Sequence, residues 1–169
     1  MPFLSEFTKY KKIIAKAICE DPNCVALIMN KNVEDVTVPA YDLIESVDQA
    51  GNRHRGQVHL YDYLPGTEEV GEVHVCVEVE DAKVVKGAVA NFDIHIYIIV
   101  PENLMVMYGQ IRRDALAAAI DNLINGSTNF GFGKLERVMG GGSFLAVNKW
   151  RGRELVYTNE DYNRIGGRM

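Results

Sequence analysis

The chain has 169 residues, of which 47% are hydrophobic and 24% charged, and its formal net charge is −5. This length favours one domain, residues 1–169, with a single core, and the composition argues against long intrinsic disorder. Because no run of Lys or Arg forms a basic stripe, tight binding of duplex DNA is not expected.

The N-terminus, MPFLSEFTKYKK, contains no continuous apolar segment, and the longest strongly apolar run covers residues 94–100. We therefore expect no signal peptide, no transmembrane helix and a soluble protein made in the cytoplasm. The cysteines, Cys19, Cys24 and Cys76, lack the spacing of metal-ligand pairs, so they are expected to be free thiols in a reducing compartment.

Helical periodicity over residues 7–29 predicts an amphipathic helix that breaks near Asp21 and Pro22, with a second short helix over 24–29. Residues 31–70 have little regular pattern, apart from a weak strand candidate at 57–63. In a compact domain such a region is usually a functional loop, so we expect it to face a partner. A poorly patterned strand pair is the alternative.

Alternating valines over residues 73–79 and alternating Phe, Ile and Val over 92–100 predict two strands, each with one buried face. The intervening residues 81–87 are long enough for an antiparallel hairpin with a loose loop. After Pro101 we expect a short linker at 104–108 and then a slim, alanine-rich helix over 110–125, ended by Gly126.

Three further short strands are predicted at residues 134–139, 144–150 and 154–158, with turns at the glycines of 140–142 and at Arg151 and Gly152. The predicted fold is therefore α+β. Its sheet is mainly antiparallel, formed by the hairpin and a C-terminal meander, and it packs against two or three helices.

His74 and His95 lie on the outward faces of the two hairpin strands, with Glu78 and Asp93 on the same faces. If the register placed them opposite one another, two imidazoles and a carboxylate would form a metal site. The competing interpretation is an ordinary polar sheet face, and we favour it, so no metal site is predicted.

His54 and His59 lie in the irregular region, but no Gly-x-Ser-x-Gly elbow or activated cysteine accompanies them. The glycine-rich residues 126–133 follow a helix, whereas a phosphate-binding loop precedes one. We therefore predict no catalytic residue and no cofactor.

Two groups of residues are candidates for a subunit or partner interface. Arg112 and Arg113 open the alanine-rich helix, where the helix dipole does not favour cations, so a carboxylate on the sheet or on a neighbouring subunit is one possible partner and solvent the other. An aromatic and basic group near the C-terminus resembles interface residues more than a base-stacking surface, and consists of Trp150, Arg151, Arg153 and Tyr157.

Several short phrases in this part of the chain resemble neck proteins of tailed bacteriophages, above all the tail terminator or tail completion group, with head–tail connector proteins close behind. The similarity covers about residues 72–163, and the phrases that carry it are Arg113-Asp114, IDNLING at 120–126, FGFGKL at 130–135 and YTNEDYN at 157–163.

The resemblance implies a structural virion protein of the tail or neck that forms a ring, commonly a hexamer. The ring would cap the tail tube and provide the head-docking surface, with tail tube protein and a head-closure or adaptor protein as partners. DNA would pass through the lumen without specific binding. No enzymatic activity is implied.

Three alternatives stay open. One is a head-closure or adaptor protein. The second is a small metal-dependent or hydrolytic enzyme that uses His74, His95 and nearby carboxylates. The third is a single-stranded nucleic-acid binder that uses Trp150, Tyr157 and the nearby arginines.

Overall fold

The computed structural model describes residues 3–36, 41–63, 65, 71–80, 84–85, 89–131, 133–138, 141–146 and 149–161. Within these residues the helices are α1 (Phe3–Glu20), α2 (Pro22–Met29) and α3 (Arg112–Ile124). The strands in chain order are β1 (Ser46–Val47), β2 (Arg53–His54), β3 (Val58–His59), β4 (His74–Glu80), β5 (Val84–Val85), β6 (Val89–Pro101), β7 (Val106–Met107), β8 (Gln110–Ile111), β9 (Leu135–Arg137), β10 (Ser143–Leu145) and β11 (Trp150–Asp161).

The two longest strands, β6 and β11, pair antiparallel along their length and form the centre of the main sheet. The sheet order is β10-β11-β6-β4-β3, and only β3 and β4 pair parallel. The core lies on the sheet face that carries Val75, Val77, Ile96 and Ile98, where these side chains pack with residues of the three helices. The predicted α+β fold with a mainly antiparallel sheet is confirmed.

The predicted helix break is also confirmed. Asp21 is extended, and its side chain accepts a hydrogen bond from the Cys24 backbone N–H at 2.8 Å. Pro22 occupies the first turn of α2, where its missing N–H costs nothing. The first helix begins at Phe3, earlier than the periodicity predicted.

The predicted hairpin corresponds to β4 and β6, with His74 opposite Ile99 and Glu78 opposite His95. Much of the predicted loop, residues 81–83 and 86–87, lies outside the described residues. Its middle part forms β5, which pairs with the start of β6.

The predicted meander is wrong in its details. Arg151 and Gly152 belong to β11 and form no turn, and the strand predicted at 144–150 is only Ser143–Leu145. A Cβ on Gly152 would lie 2.1 Å from the Phe144 ring, so this glycine serves close packing inside the sheet. Both β9 and β10 pair with the outer edge of β11, one after the other.

The segment predicted as a linker at 104–108 instead begins a small hairpin, formed by β7 and β8. Tyr108 and Gly109 have φ values of 49° and 77°, which is the left-handed backbone that a two-residue hairpin turn requires. The following helix, α3, runs close to its predicted bounds, and Gly126 follows it with φ of 76°.

Residues 31–70 contain only short elements, and residues 37–40, 64 and 66–70 lie outside the described part. The strand predicted at 57–63 shortens to β3, which adds parallel to β4. That this region faces a partner, and that the chain is one domain, stay predictions. None of the helices in the described part of the chain has the length and apolar character that crossing a membrane requires.

Candidate functional site

A buried polar cluster lies on the sheet face opposite the helices. Its centre is a pair of imidazoles, His59 on β3 and His74 on β4, which are only 3% and 4% exposed. The parallel register sets His59 opposite Cys76, two residues beyond His74 on the same face of β4. We call Glu45, His59 and His74, with the attached Arg53 and Tyr61, the histidine cluster.

Hydrogen bonds link the members of the histidine cluster in a chain. His59 Nδ1 lies 2.6 Å from Glu45 Oε2, and His59 Nε2 lies 3.1 Å from His74 Nδ1. Arg53 pairs with the other oxygen of Glu45 and also donates to the Tyr61 hydroxyl at 2.7 Å. The Tyr61 hydroxyl in turn donates to Glu45. The carboxylate is thus held by three different side chains.

Aromatic rings enclose the two imidazoles. The Tyr63 ring stacks on His59 with a centroid distance of 4.1 Å and an angle of 14° between the planes. It also lies 4.9 Å from the His74 ring, and Trp150 lies 5.7 Å from His74 on another side. These rings cover the two imidazoles and contribute to their low exposure.

The electrostatics of the cluster fix the state of Glu45. Partial burial raises the pKa of this carboxyl, but hydrogen bonds from Arg53, Tyr61 and His59 outweigh it and hold the pKa at about 2. Glu45 is therefore ionised at neutral pH. Burial raises the pKa of the neighbouring Cys76 thiol to about 12, so this cysteine is not a thiolate nucleophile at neutral pH.

His74 and His95, which were weighed as metal ligands and not predicted to be such, occupy different positions along the hairpin. His74 faces Ile99, whereas His95 faces Glu78 and bonds to Glu154 through Nδ1 at 2.7 Å. In the described part of the chain, no group of three or more His, Cys, Asp or Glu side chains is placed to hold a metal ion. His54, which was considered with His59 for catalysis, is exposed, and its ring lies 2.6 Å from the Asp42 carbonyl.

A second feature is an exposed apolar surface around the β7–β8 hairpin. We call it the hairpin surface and define it by Val33, Val106, Tyr108 and Ile111, which are 47%, 73%, 80% and 46% exposed. The Tyr108 hydroxyl donates to Asn32 Oδ1 at 3.0 Å, which fixes the hairpin against the end of α2.

A groove of about 610 Å³ runs beside the hairpin surface, between α2 and α3. Its floor is formed by small and apolar side chains, including Ala26, Leu27, Ala115, Ala119 and Leu123. The alanine side chains of α3 are small, so they do not fill the space between the two helices.

The two arginines that open α3 have different environments. Arg112 is 2% exposed, and it donates to the Leu104 and Leu27 carbonyls and to Asn30 Oδ1. Arg113 bonds to Asp114, which also accepts from Arg153 at 2.8 Å. The carboxylate that Arg113 contacts thus lies beside it on α3, not on the sheet or on a neighbouring subunit as considered from the sequence, and Arg112 is held by carbonyl and amide oxygens of the same chain.

Strand alternation separates the members of the predicted C-terminal group. Trp150 lies on the face of the histidine cluster, whereas Arg151, Arg153 and Tyr157 lie on the opposite face of β11. Trp150 and Tyr157 are buried, and Tyr157 donates to Asp121 at 2.9 Å. Arg151 pairs with Glu102. A role for these residues in an interface stays a prediction.

Sequence reasoning missed both main features of the site. The signal for the hairpin surface was a run of uncharged residues over 103–111 that includes the Tyr108-Gly109 turn. The histidine cluster depends on a parallel pairing of only two residues, for which the sequence carries no recognisable pattern.

Comparisons with known proteins give one family. No curated protein matches the chain. One solved structure, titled "Virion of native gene transfer agent (GTA) particle", has a chain with 22% sequence identity to this one, covering 62% of this chain and 78% of its own, with a TM-score of 0.41. A geometric similarity this weak does not establish a shared fold. The family model described as YomW matches residues 14–159, which is most of the chain, and the protein therefore belongs to the YomW family, a phage-associated family.

Proposed function

We propose that this protein is a structural component of a phage virion, a tail terminator that forms a ring on the tail tube and provides the surface to which the head docks. Membership of a phage-associated family supports a virion role. The finer assignment is supported by the resemblance of residues 72–163 to tail terminators. A head-closure or adaptor protein is the second candidate within the same class.

The observation that carries the proposal is the hairpin surface. Val33 and Tyr108 line the groove between α2 and α3, and Val106 and Ile111 pair with each other across the hairpin, so four large apolar side chains are exposed in this part of the molecule. A surface of this kind is typical of a contact with another protein. If the hairpin and the groove meet different parts of a neighbouring copy, the contact is head-to-tail. Such a contact forms a ring when the rotation from one copy to the next closes.

The irregular residues 31–70 are the proposed contact to the tail tube or to the neighbouring ring. Val47 in this region is 66% exposed, and acidic side chains such as Glu34 are exposed as well. Arg151 and Arg153, each about one-third exposed, remain candidates for polar contacts at the rim of an interface.

The features that suggested a metal-dependent enzyme or a single-stranded nucleic-acid binder are arranged differently in the folded protein. The metal-dependent enzyme depended on His74 and His95 lying opposite each other, and the strand register separates them. The single-stranded nucleic-acid binder required Trp150 and Tyr157 as stacking surfaces, and both side chains are buried.

Native mass spectrometry and negative-stain electron microscopy test the proposal, on the protein alone and mixed with its tail tube protein. We expect rings or capped tubes. The variant Val106→Asp/Tyr108→Asp should abolish them and leave a folded monomer, because it places charge in an apolar contact.

The matched control is Leu145→Asp, which changes an apolar side chain that is 65% exposed but lies outside the hairpin surface. It should assemble like the parent protein. A parent protein that stays monomeric and leaves the tubes uncapped would refute the terminator assignment.

A further inference from the structure

The four lysines of α1 lie on two different sides of the helix. Lys11 turns towards the sheet, where it pairs with Glu78 and donates to the Leu60 carbonyl at 3.2 Å. The other lysines are exposed and follow one another at spacings of three and four residues, which places them on one face of the helix. We call this face the lysine stripe and define it by Lys9, Lys12 and Lys16.

The lysine stripe is the outer face of α1. Tyr10, Ile14 and Ile18 on the opposite face are at most 8% exposed and belong to the core. A shallow groove of about 430 Å³ runs along the stripe, and Thr8 and Ile13 contribute to its lining. The stem of a lysine side chain is a run of methylene groups, so the floor of this groove is largely apolar and its rims carry ammonium groups.

Acidic side chains border the hairpin surface. Val33, a member of this surface, begins a short 3-10 helix whose next two residues, Glu34 and Asp35, are exposed. Asn32, which precedes this helix, accepts a hydrogen bond from the Tyr108 hydroxyl at 3.0 Å and donates one to Asp35 at 3.2 Å. These bonds place the two carboxylates, which we call the acidic turn, next to the hairpin.

The hairpin surface and the lysine stripe match in apolar character and are opposite in charge. Each combines exposed apolar atoms with ionised groups, which are the carboxylates of the acidic turn on one surface and ammonium groups on the other. Lys31 and Asp21 also line the groove beside the hairpin, and their charges offset each other. The two surfaces share no residue, so a subunit can use both at the same time. Opposite charges across an interface guide the encounter and select the partner.

We propose that the hairpin surface of one copy docks on the lysine stripe of the next, with the acidic turn of the first paired with the ammonium groups of the second. This inference rests on the proposed ring, and it names the complementary side of the subunit contact. In the contact, Val106 and Tyr108 pack against Ile13 and the lysine stems. The acidic turn then belongs to the contact within the ring, and the rest of residues 31–70 is left for the tail tube or the neighbouring ring.

Sedimentation equilibrium on the full-length protein at a series of salt concentrations tests the contact. We expect self-association that weakens at least about tenfold between about 0.05 and 0.5 M NaCl, because salt screens exposed charges. The variants Glu34→Lys/Asp35→Lys and Lys9→Glu/Lys12→Glu each reverse the charge of one surface. Each should lower the association constant at least about tenfold at low salt, since like charges then face one another across the contact.

A charge-swapped variant that carries both pairs of substitutions restores the attraction with its sign reversed, so it should associate within about threefold of the parent protein. Lys134→Glu/Lys149→Glu is the matched control for the reversed stripe, because it makes the same change of net charge at exposed positions outside both surfaces. It should associate like the parent. All substituted positions are exposed, so circular dichroism should show the parent fold in every variant.

Equal association of the parent and the two reversed variants would overturn the contact, and so would a charge-swapped variant as weak as either of them. A parent protein that stays monomeric up to about 100 μM, or whose association does not weaken with salt, overturns it as well, whether or not tail tubes are capped. Rings that survive both charge reversals would leave the terminator assignment without this contact. Association that the charge swap restores but that stops at dimers would keep the contact and refute the ring.

Discussion

The guanidinium of Arg112 donates a hydrogen bond to the backbone carbonyl of Leu27 at 3.1 Å, across 85 positions of the sequence. The same side chain donates to the Leu104 carbonyl at 2.8 Å and to Asn30 Oδ1. It thus satisfies groups at the C-terminal end of α2 and ties them to the start of α3. Burial lowers the pKa of Arg112, but its ordinary value is so high that it stays charged.

Replacing Arg112 by Met should lower the free energy of unfolding by roughly 2–4 kcal/mol, because it leaves buried carbonyls without a donor. Urea denaturation measures this loss. The control Arg113→Met removes a neighbouring arginine that bonds to the partly exposed carboxylate of Asp114, and it should cost about 1 kcal/mol or less. Equal losses in the two variants would contradict the structural role of Arg112.

Gly152→Ala should destabilise the protein by about 1–3 kcal/mol, because the new methyl group would overlap the Phe144 ring. Thermal unfolding gives the measurement. Gly142→Ala is the control, since a Cβ there meets no atom within 4 Å. The double variant Gly152→Ala/Phe144→Ala should be less sensitive to the alanine at 152 than the parent. Additive effects would show that the two residues do not clash.

Glu45→Gln should make stability depend less on pH. The pKa of Glu45 is about 2 in the folded protein against 4.5 ordinarily, so its contribution is complete above about pH 5 and is lost as pH falls towards 2. At neutral pH the variant should be less stable by about 2–3 kcal/mol, and near pH 2 the difference should vanish.

Denaturation at a series of pH values measures the Glu45 effect. The exposed carboxylate Glu34 provides the control, and Glu34→Gln should change stability little at any pH. A Glu45→Gln difference that stayed constant down to pH 2 would mean that the hydrogen bonds of this side chain do not depend on its charge.

Tyr157→Phe should cost about 1–2 kcal/mol, because the buried hydroxyl donates to the Asp121 carboxylate at 2.9 Å. Burial and this bond raise the pKa of Tyr157, so the phenol stays neutral over the whole working range. Tyr108→Phe removes a hydroxyl whose hydrogen bond to Asn32 is exposed to solvent, so it should cost less, about 0.5 kcal/mol or below. If Tyr157→Phe left the free energy of unfolding unchanged, Asp121 would have to accept a hydrogen bond from another donor.

Periodicity predicted the parts of the fold whose local pattern is strong. The alternating valines around Val75 and Val77, the helix break at Pro22 and the stop at Gly126 all follow from local sequence, and the structure confirms them. The predicted turn at Gly152 is wrong because glycine is common in turns, and its role inside β11 depends on the Phe144 ring that packs against it.

The candidate site was less accessible to prediction because it depends on pairings between distant parts of the chain. His59 and His74 are 15 positions apart and meet only through the β3–β4 register. Trp150 and Tyr157 are seven positions apart, and strand alternation places them on opposite faces of the sheet. Neither the contact between the two histidines nor the opposite placement of the two aromatic residues can be derived from spacing along the chain.

The outer edge of β11 offers little backbone for pairing with a strand of another molecule. Two strands of three residues each, β9 and β10, cover that edge, and they are separated by a glycine-rich interruption. A foreign strand would find too few consecutive backbone groups there to build a stable ladder. A protein contact on this side of the molecule would therefore depend on side chains more than on backbone pairing.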